Sequence, residues 1–389
     1  MRKFNCDSSR AFQWLMPDLQ KLIFCFFLML TSYPAFSLSD ALEDSATFSE
    51  RAKKGLLLGI AKAGDRLVSV GERGHILYSD DRGEHWQQAH VPVRVTLTAV
   101  DFPTPHFGWA VGHDGVILAT EDGGASWHKQ LDGYKANLLI EDELKHLLTL
   151  SYTERLALGI QYETDELEYL LEDTELFSSE GASRPFLDVS FLDEKNGFAV
   201  GAYGMIFRTT DSGENWRPWV AYLSNPDNYH LNALIQGRHE LYMVGEAGSI
   251  YRSDDQGLTW SNLVSPYDGP FFGLTVSHNA KDQENLVVYG LRGNSFISKD
   301  KGEHWTQLDV NSDAAILGAT LINGGGFVLL TSSGELYQFA FDGDLIGRSL
   351  TQDQGALSSG LAVTAEELLL VGINGMTYIN LPQTQWEAL

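Results

Sequence analysis

The sequence predicts an all-β fold, a seven-bladed β-propeller with one helical insertion between blades 2 and 3. Three observations carry this. A five-residue pattern recurs seven times: Val70-Gly71-Glu72-Arg73-Gly74, Val111-Gly112-His113-Asp114-Gly115, Val200-Gly201-Ala202-Tyr203-Gly204 and Val244-Gly245-Glu246-Ala247-Gly248, with weaker copies starting at Tyr289, Leu330 and Val371. Their first residues are spaced by 41, 89, 44, 45, 41 and 41. One interval holds an insertion; the others share the low-forties period of a four-stranded propeller blade. Second, a further motif follows five of the copies at a fixed distance. Third, Gly is frequent (38), Pro sparse (11), and 20 Phe, 15 Tyr and 9 Trp suit short strands joined by tight turns.

Composition sets outer limits. At 389 residues, 43% hydrophobic and 20% charged, the chain is too apolar for intrinsic disorder. Its formal charge of −25 argues against nucleic acid as the main ligand, which needs clustered cations.

In chain order, residues 1–37 read as an export signal: Lys21, a short apolar run over 22–30, then a small-residue site ending at Ser37. The run is too short to span a bilayer, which takes about 20 residues. Met16 is an alternative start. Cys6 and Cys25 both fall in this leader, so a mature chain has no thiol and no disulfide, and its charge becomes −27. Residues 38–54 form an N-terminal segment and 55–389 the propeller.

Blade 2 shows how each unit maps onto strands: 97–102, 108–112, 116–120 and 127 onward. The second motif sits between strands three and four. It reads Ser79-x-Asp81-x-Gly83-x-x-Trp86, and again Thr120, Asp122, Gly124, Trp127; Thr209, Asp211, Gly213, Trp216; Ser253, Asp255, Gly257, Trp260; Ser298, Asp300, Gly302, Trp305. This spacing is similar to the Asp box of bacterial-neuraminidase-type repeats. Its chemistry is local: hydroxyl and carboxylate bond the turn they start, Gly takes positive φ, and Trp packs between sheets. These residues are therefore expected to be structural. Blades 6 and 7 lack the box but keep third strands at 336–339 and 376–379. The outer strand of blade 7 is expected either from the tail around Trp386 or from residues 40–54.

The insertion, 131–184, carries Leu138, Leu139, Leu144, Leu147 and Leu148, then Leu167, Leu170 and Leu171, at helical spacing. Two short amphipathic helices or a helical hairpin follow. From 137 to 180 there are twelve acidic residues against Lys145 and Arg155.

Alternation of strand direction puts loops after strands two and four on one face, and loops after strands one and three on the other. The Val-Gly-x-x-Gly turns and the insertion therefore share a face, opposite the Asp boxes. Candidate partner-binding residues on it are Glu72, Arg73, His113, Asp114, Tyr203, Glu246, Arg292 and Asn374, with Glu141, Asp142, Leu144, Leu147 and Leu148 of the insertion. The apolar members are expected to bury against a partner while the acidic rim steers a basic surface.

The leader, Gly108-Trp109-Ala110-Val111-Gly112, Gly197-Phe198-Ala199-Val200-Gly201 and the Asp box that follows each resemble the photosystem II stability and assembly factor family of Asp-box propellers. The likeness covers roughly 55–389 apart from the insertion. It implies a non-enzymatic, exported or lumenal scaffold that holds membrane-protein subunits during assembly; relatives in non-photosynthetic bacteria resemble accessory proteins of envelope transporters. The expected partner is thus a membrane protein or transporter, with no cofactor and no metal.

The alternative is a sialidase-like glycoside hydrolase, which needs an arginine cluster, a Tyr–Glu pair and an acidic group at the scissile bond. Arg-Ile-Pro is absent, and the Arg-Pro steps are Arg184-Pro185 and Arg217-Pro218. The eleven histidines form no His-Glu-x-x-His set.

Overall fold

A computed structural model describes residues 40–381. The leader, Met16, both cysteines and Trp386 lie outside the described residues. Seven antiparallel sheets follow in chain order, six with four strands and the last with three. Their first strands are Leu57–Ala63, Leu97–Asp101, Phe186–Phe191, Leu231–Gln236, Phe271–His278, Ile316–Leu321 and Leu357–Ala362. Each contacts the next, and the first contacts the last, so they form a closed inner ring. In blade 2 the observed strands, Leu97–Asp101, Gly108–Gly112, Ile117–Thr120 and His128–Leu131, lie within a residue of expectation.

The core consists of apolar layers between blades. One layer holds Val287, Tyr289 and Ile297 of blade 5 against Ile316, Phe327 and Phe339 of blade 6. Second strands are buried along nearly their whole length, and completely in Gly108–Gly112 and Gly197–Gly201, because sheets cover both of their faces. Their terminal glycines are required by a close backbone approach. A Cβ on Gly71 would lie 2.1 Å from the Leu56 carbonyl oxygen, and one on Gly372 would lie 2.0 Å from that of Ala356.

Every first strand bulges after its first residue. At three junctions the bulged residue ties its blade to the next. Thr98 Oγ1 donates to Phe186 O at 2.9 Å, Asn232 Nδ2 to Phe271 O at 2.7 Å, and Ser358 Oγ to Leu57 O at 2.9 Å.

Residues 40–54 do not complete blade 7. They strap across blade 1: Arg94 N donates to Ala41 O, Ala46 N to Val91 O and Ser49 N to Gln88 Oε1. The strap ends in a short 3-10 turn, Ala52–Lys54, whose backbone fills the space beside Gly375. Among the described residues blade 7 keeps three strands. Its third, Gly375–Asn380, sends Tyr378 across the seam, where the hydroxyl donates to Gly83 O at 2.7 Å and accepts from Trp86 Nε1 at 3.3 Å.

The insertion forms three helices: α1 (Gly133–Thr149), α2 (Tyr152–Ala157) and α3 (Thr164–Glu180). Asp132 caps α1 by accepting from Lys135 N, and Ser151 and Glu154 form a capping box on α2. α1 packs along α3, and Ala136, Ile140, Leu144 and Leu147 join Leu167 and Leu170 in the same core as Trp109, Phe186 and Phe207 of blades 2 and 3. Among the described residues no helix is long and apolar enough to cross a membrane.

Candidate partner-binding face

In five blades the residue at the tip of the turn after strand two has positive φ without being glycine: Arg73 (57°), Asp114 (55°), Tyr203 (54°), Ala247 (52°) and Arg292 (55°). The glycine after it meets the chain leaving the same blade. A Cβ on Gly74 would lie 2.2 Å from Val93 O, and one on Gly115 would lie 2.6 Å from Gly133 Cα. Turns and outgoing connections are therefore packed together on one face, and the insertion grows out of it.

The candidate residues spread round this face in groups. Glu72, half-buried, accepts from Leu56 N at 3.4 Å, and Arg73 beside it is exposed. Exposed Asn374 lies across the strap's last turn from them. His113 is exposed and Asp114 half-buried at the root of α1. Tyr203 packs against Phe177 of α3 at 4.9 Å and His230 at 4.7 Å between ring centroids. Glu246 accepts from His230 N at 2.9 Å, so Tyr203, Glu246 and α3 do meet. Arg292 stands apart on blade 5, exposed. Glu141 bridges α1 to α3: it accepts from Ser178 Oγ and from Lys145 Nζ, and the Ser178 bond followed by Lys145 lowers its carboxyl below the usual range. Asp142 points to solvent.

The apolar candidates require correction. Leu144 and Leu147 are 0% and 1% exposed, and Leu148 packs against the same core. Leu144 and Leu147 bury against the insertion's other helices and blades 2 and 3 and cannot touch a partner, while Leu148 stays half-buried. Helical spacing identified an apolar stripe without showing that the chain itself covers it. The large apolar side chains the insertion does present include Tyr134, Leu138, Tyr169 and Leu176.

On the opposite face the Asp boxes serve their own loops. In the first, Ser79 Oγ donates to Asp81 Oδ1 at 2.8 Å and accepts from Gly83 N at 2.8 Å, while Asp81 Oδ1 accepts from His85 N at 2.8 Å. The same bonds recur at Thr120, Thr209, Ser253 and Ser298. The backbone N–H and then the ring of His85 hold Asp81 down to about 2, and His304 does the same for Asp300. Asp81, Glu84 and His85 have ligand atoms within 4.8 Å of one another, but all three are exposed and Asp81 is already committed to its loop.

Two carboxylates on the inner ring escaped the sequence reading. Asp101 Oδ2 accepts from Phe191 N at 2.7 Å, and Asp188 Oδ2 from Leu234 N at 2.8 Å. Each satisfies a free strand-edge N–H of the next blade. Burial pushes Asp101 up to about 6 and Asp188 up to about 7. The available signal was that Asp188 replaces the small residues found at the matching post-bulge position, such as Gly59, Ala99 and Gly273. The sequence presents Arg184 only as part of an Arg-Pro step. It is 5% exposed, donates to Asn137 Oδ1 at 2.7 Å and stacks over Phe177 at 4.5 Å. Burial lowers its pKa to about 10.

Fold and site define an Asp-box β-propeller whose boxes are architectural and whose opposite face carries an added helical platform. Within that class, the chain belongs to the family described as photosynthesis system II assembly factor YCF48, whose profile matches residues 45–150 and 178–349. The unmatched stretch between them falls within the insertion. The chain is 26% identical over 151 residues to the photosystem II assembly lipoprotein Ycf48 of Synechococcus sp. (strain CC9902), covering 39% of this chain and 45% of that protein. It is 42% identical over 48 residues, 12% of this chain and 11% of the other, to the chloroplastic photosystem II stability/assembly factor HCF136 of Cyanidioschyzon merolae (strain NIES-3377 / 10D). It thus spans less than half the length of the curated relatives it matches. Among solved structures, YCF48 bound to D1 peptide is 16% identical with a TM-score of 0.56, covering 88% of this chain and 98% of that one. The WD40 propeller of Doa1 is 8% identical with a TM-score of 0.58, covering 87% and 95%. These structural likenesses show the fold.

Proposed function

We propose that this chain is an exported, non-enzymatic scaffold that binds an extracytoplasmic segment of a membrane protein on the turn face, assisting assembly of its complex. The observation that carries this reading is the insertion's outer surface. Its acidic residues include exposed Asp142, Glu168, Glu172 and Glu175, while Arg155 is buried and Lys145 is engaged by Glu141 and Glu175. That surface suits a partner with a basic flank. Family membership supports an assembly role, and the solved relative is bound to a D1 peptide. Among these comparisons none supports a transporter. Against hydrolysis, Arg184 is sealed beneath α3 and the Asp-box carboxylates are taken up by their own turns, so neither supplies the substrate-binding arginine or the flanking acid pair that chemistry needs.

Deleting 131–184 is a poor test, because it uncovers Phe186, Trp109 and Phe207. The better variant neutralises the surface: Asp142→Asn, Glu168→Gln, Glu172→Gln and Glu175→Gln together. Capture of membrane proteins from detergent-solubilised envelope should be lost while circular dichroism stays the same. Undiminished capture would remove the reading.

A further inference from the structure

Where the loop between α2 and α3 meets the rim of the ring, a cavity of about 280 Å³ opens between the insertion, the segment leaving blade 3 and the Asp-box loop of blade 4. Three aromatic side chains wall it: Tyr162, Tyr222 and Trp260. All three are fixed from behind. The Tyr162 hydroxyl donates to Leu223 O at 2.9 Å and accepts from Asn225 N at 3.0 Å. Tyr222 stacks on Trp219 with centroids 4.0 Å apart, and Trp260 meets Phe198 edge-on. Glu166, Gln161, Ser224 and Thr259 supply the polar part of the lining, and Glu166 is its one charged residue. Glu166 is exposed and held in place by accepting from Glu163 N at 2.7 Å.

Among the described residues no lysine or arginine lines the cavity. Arg217, on the fourth strand of blade 3, is not among the walls. The negative faces of aromatic rings beside a carboxylate attract a cation. The volume lies at the small end of the range for ligand sites, about 300–1,000 Å³, and is enough for one side chain. Glu163, Asp165 and the acidic helices around it raise the local concentration of cationic segments.

We propose that this cavity receives a single arginine or lysine side chain presented by an extended segment of a partner protein. The proposal rests on the partner-binding reading for what presents the side chain, while the chemistry of the pocket stands on its own walls. The acidic helices attract the segment, and the pocket fixes its register by taking one basic residue.

The test uses the whole protein and the indole N–H resonance of Trp260, assigned by its loss in Trp260→Phe. Acetyl-Gly-Arg-Gly-amide at millimolar concentration should move this resonance saturably, and the lysine peptide should do the same. The citrulline counterpart, uncharged and nearly isosteric, should bind at least about fivefold more weakly. Glu166→Gln should weaken the arginine peptide about two- to fivefold. Glutamine can still accept the helix-capping bond, so the helix persists. Tyr222→Leu should remove the response. An unmoved resonance, or equal binding of the citrulline peptide, overturns the proposal. If Trp260 fails to respond while envelope capture persists, the pocket falls and the partner-binding reading stands. A response that obeys charge in a protein that captures nothing supports the pocket and removes that reading.

Discussion

The junction between blades 2 and 3 and the seam between blades 7 and 1 solve the same problem with different means. At the first, Trp109 stacks on Phe191 at 3.5 Å between centroids, and Gln130 Oε1 accepts from both Trp109 and Trp216. Above them α1 and α3 close the largest apolar cluster among the described residues. At the seam, among the described residues, no fourth strand reaches the next Asp box, and Tyr378 makes that contact. The difference teaches that the insertion is first a part of the core and only then a surface. A propeller can carry a large appendage where two blades already share a deep apolar layer.

The strongest challenge to this contrast is Leu144→Ala. Truncating a fully buried leucine should cost about 2–5 kcal/mol, read as a lower urea midpoint with an unchanged slope. A change near zero would mean the helices sit loosely on the ring.

Next in size is Asp101→Asn, which separates the two regions by pH. The folded carboxyl titrates near 6, above its unfolded value of 3.8, so the native state holds extra protons between those values. Its stability contribution is present below about pH 4 and lost as pH rises through 6. The asparagine variant should flatten that dependence and gain up to about 3 kcal/mol at pH 8, with little change at pH 3. Asp188 should behave alike through about pH 7. The Ser358 tie at the seam has no such dependence, so seam-local hydrogen exchange should ignore this substitution.

Asp132→Ala removes the N-cap of α1 and should cost about 1 kcal/mol, seen as faster amide exchange in the first turn of that helix. The smallest effect is expected from Tyr378→Phe, about 0.5 kcal/mol, because water competes at this half-open site. Limited proteolysis near 375–380 should detect it; a larger loss would make Tyr378 the principal closure of the ring.

Much of this architecture is legible in the sequence, for identifiable reasons. Repetition made seven units visible, and strand boundaries followed from period-two burial and from turns that only Gly satisfies. The Asp boxes could be assigned to architecture because the bonds of their hydroxyl and carboxylate residues stay within seven residues. What could not be read depends on partners distant in sequence. Leu138 and Leu144 look alike as helical leucines, yet one is 60% exposed and the other buried, since the choice is made by blades 2 and 3. Asp101 and Asp188 sit in ordinary strands, and only the ring brings a bare N–H of the next blade against each. The pocket gathers Tyr162, Tyr222 and Trp260 from three separate stretches with no common motif.

The side-chain closure at Tyr378 has a mechanical corollary. Every other pair of neighbouring sheets is crossed by continuous polypeptide, whereas among the described residues tension applied between residues 54 and 380 would load the seam's hydrogen bonds from Ser358 and Tyr378 and the apolar layer between blades 7 and 1. Under pulling, the circle should spring into an open arc with all seven sheets intact before any strand peels away.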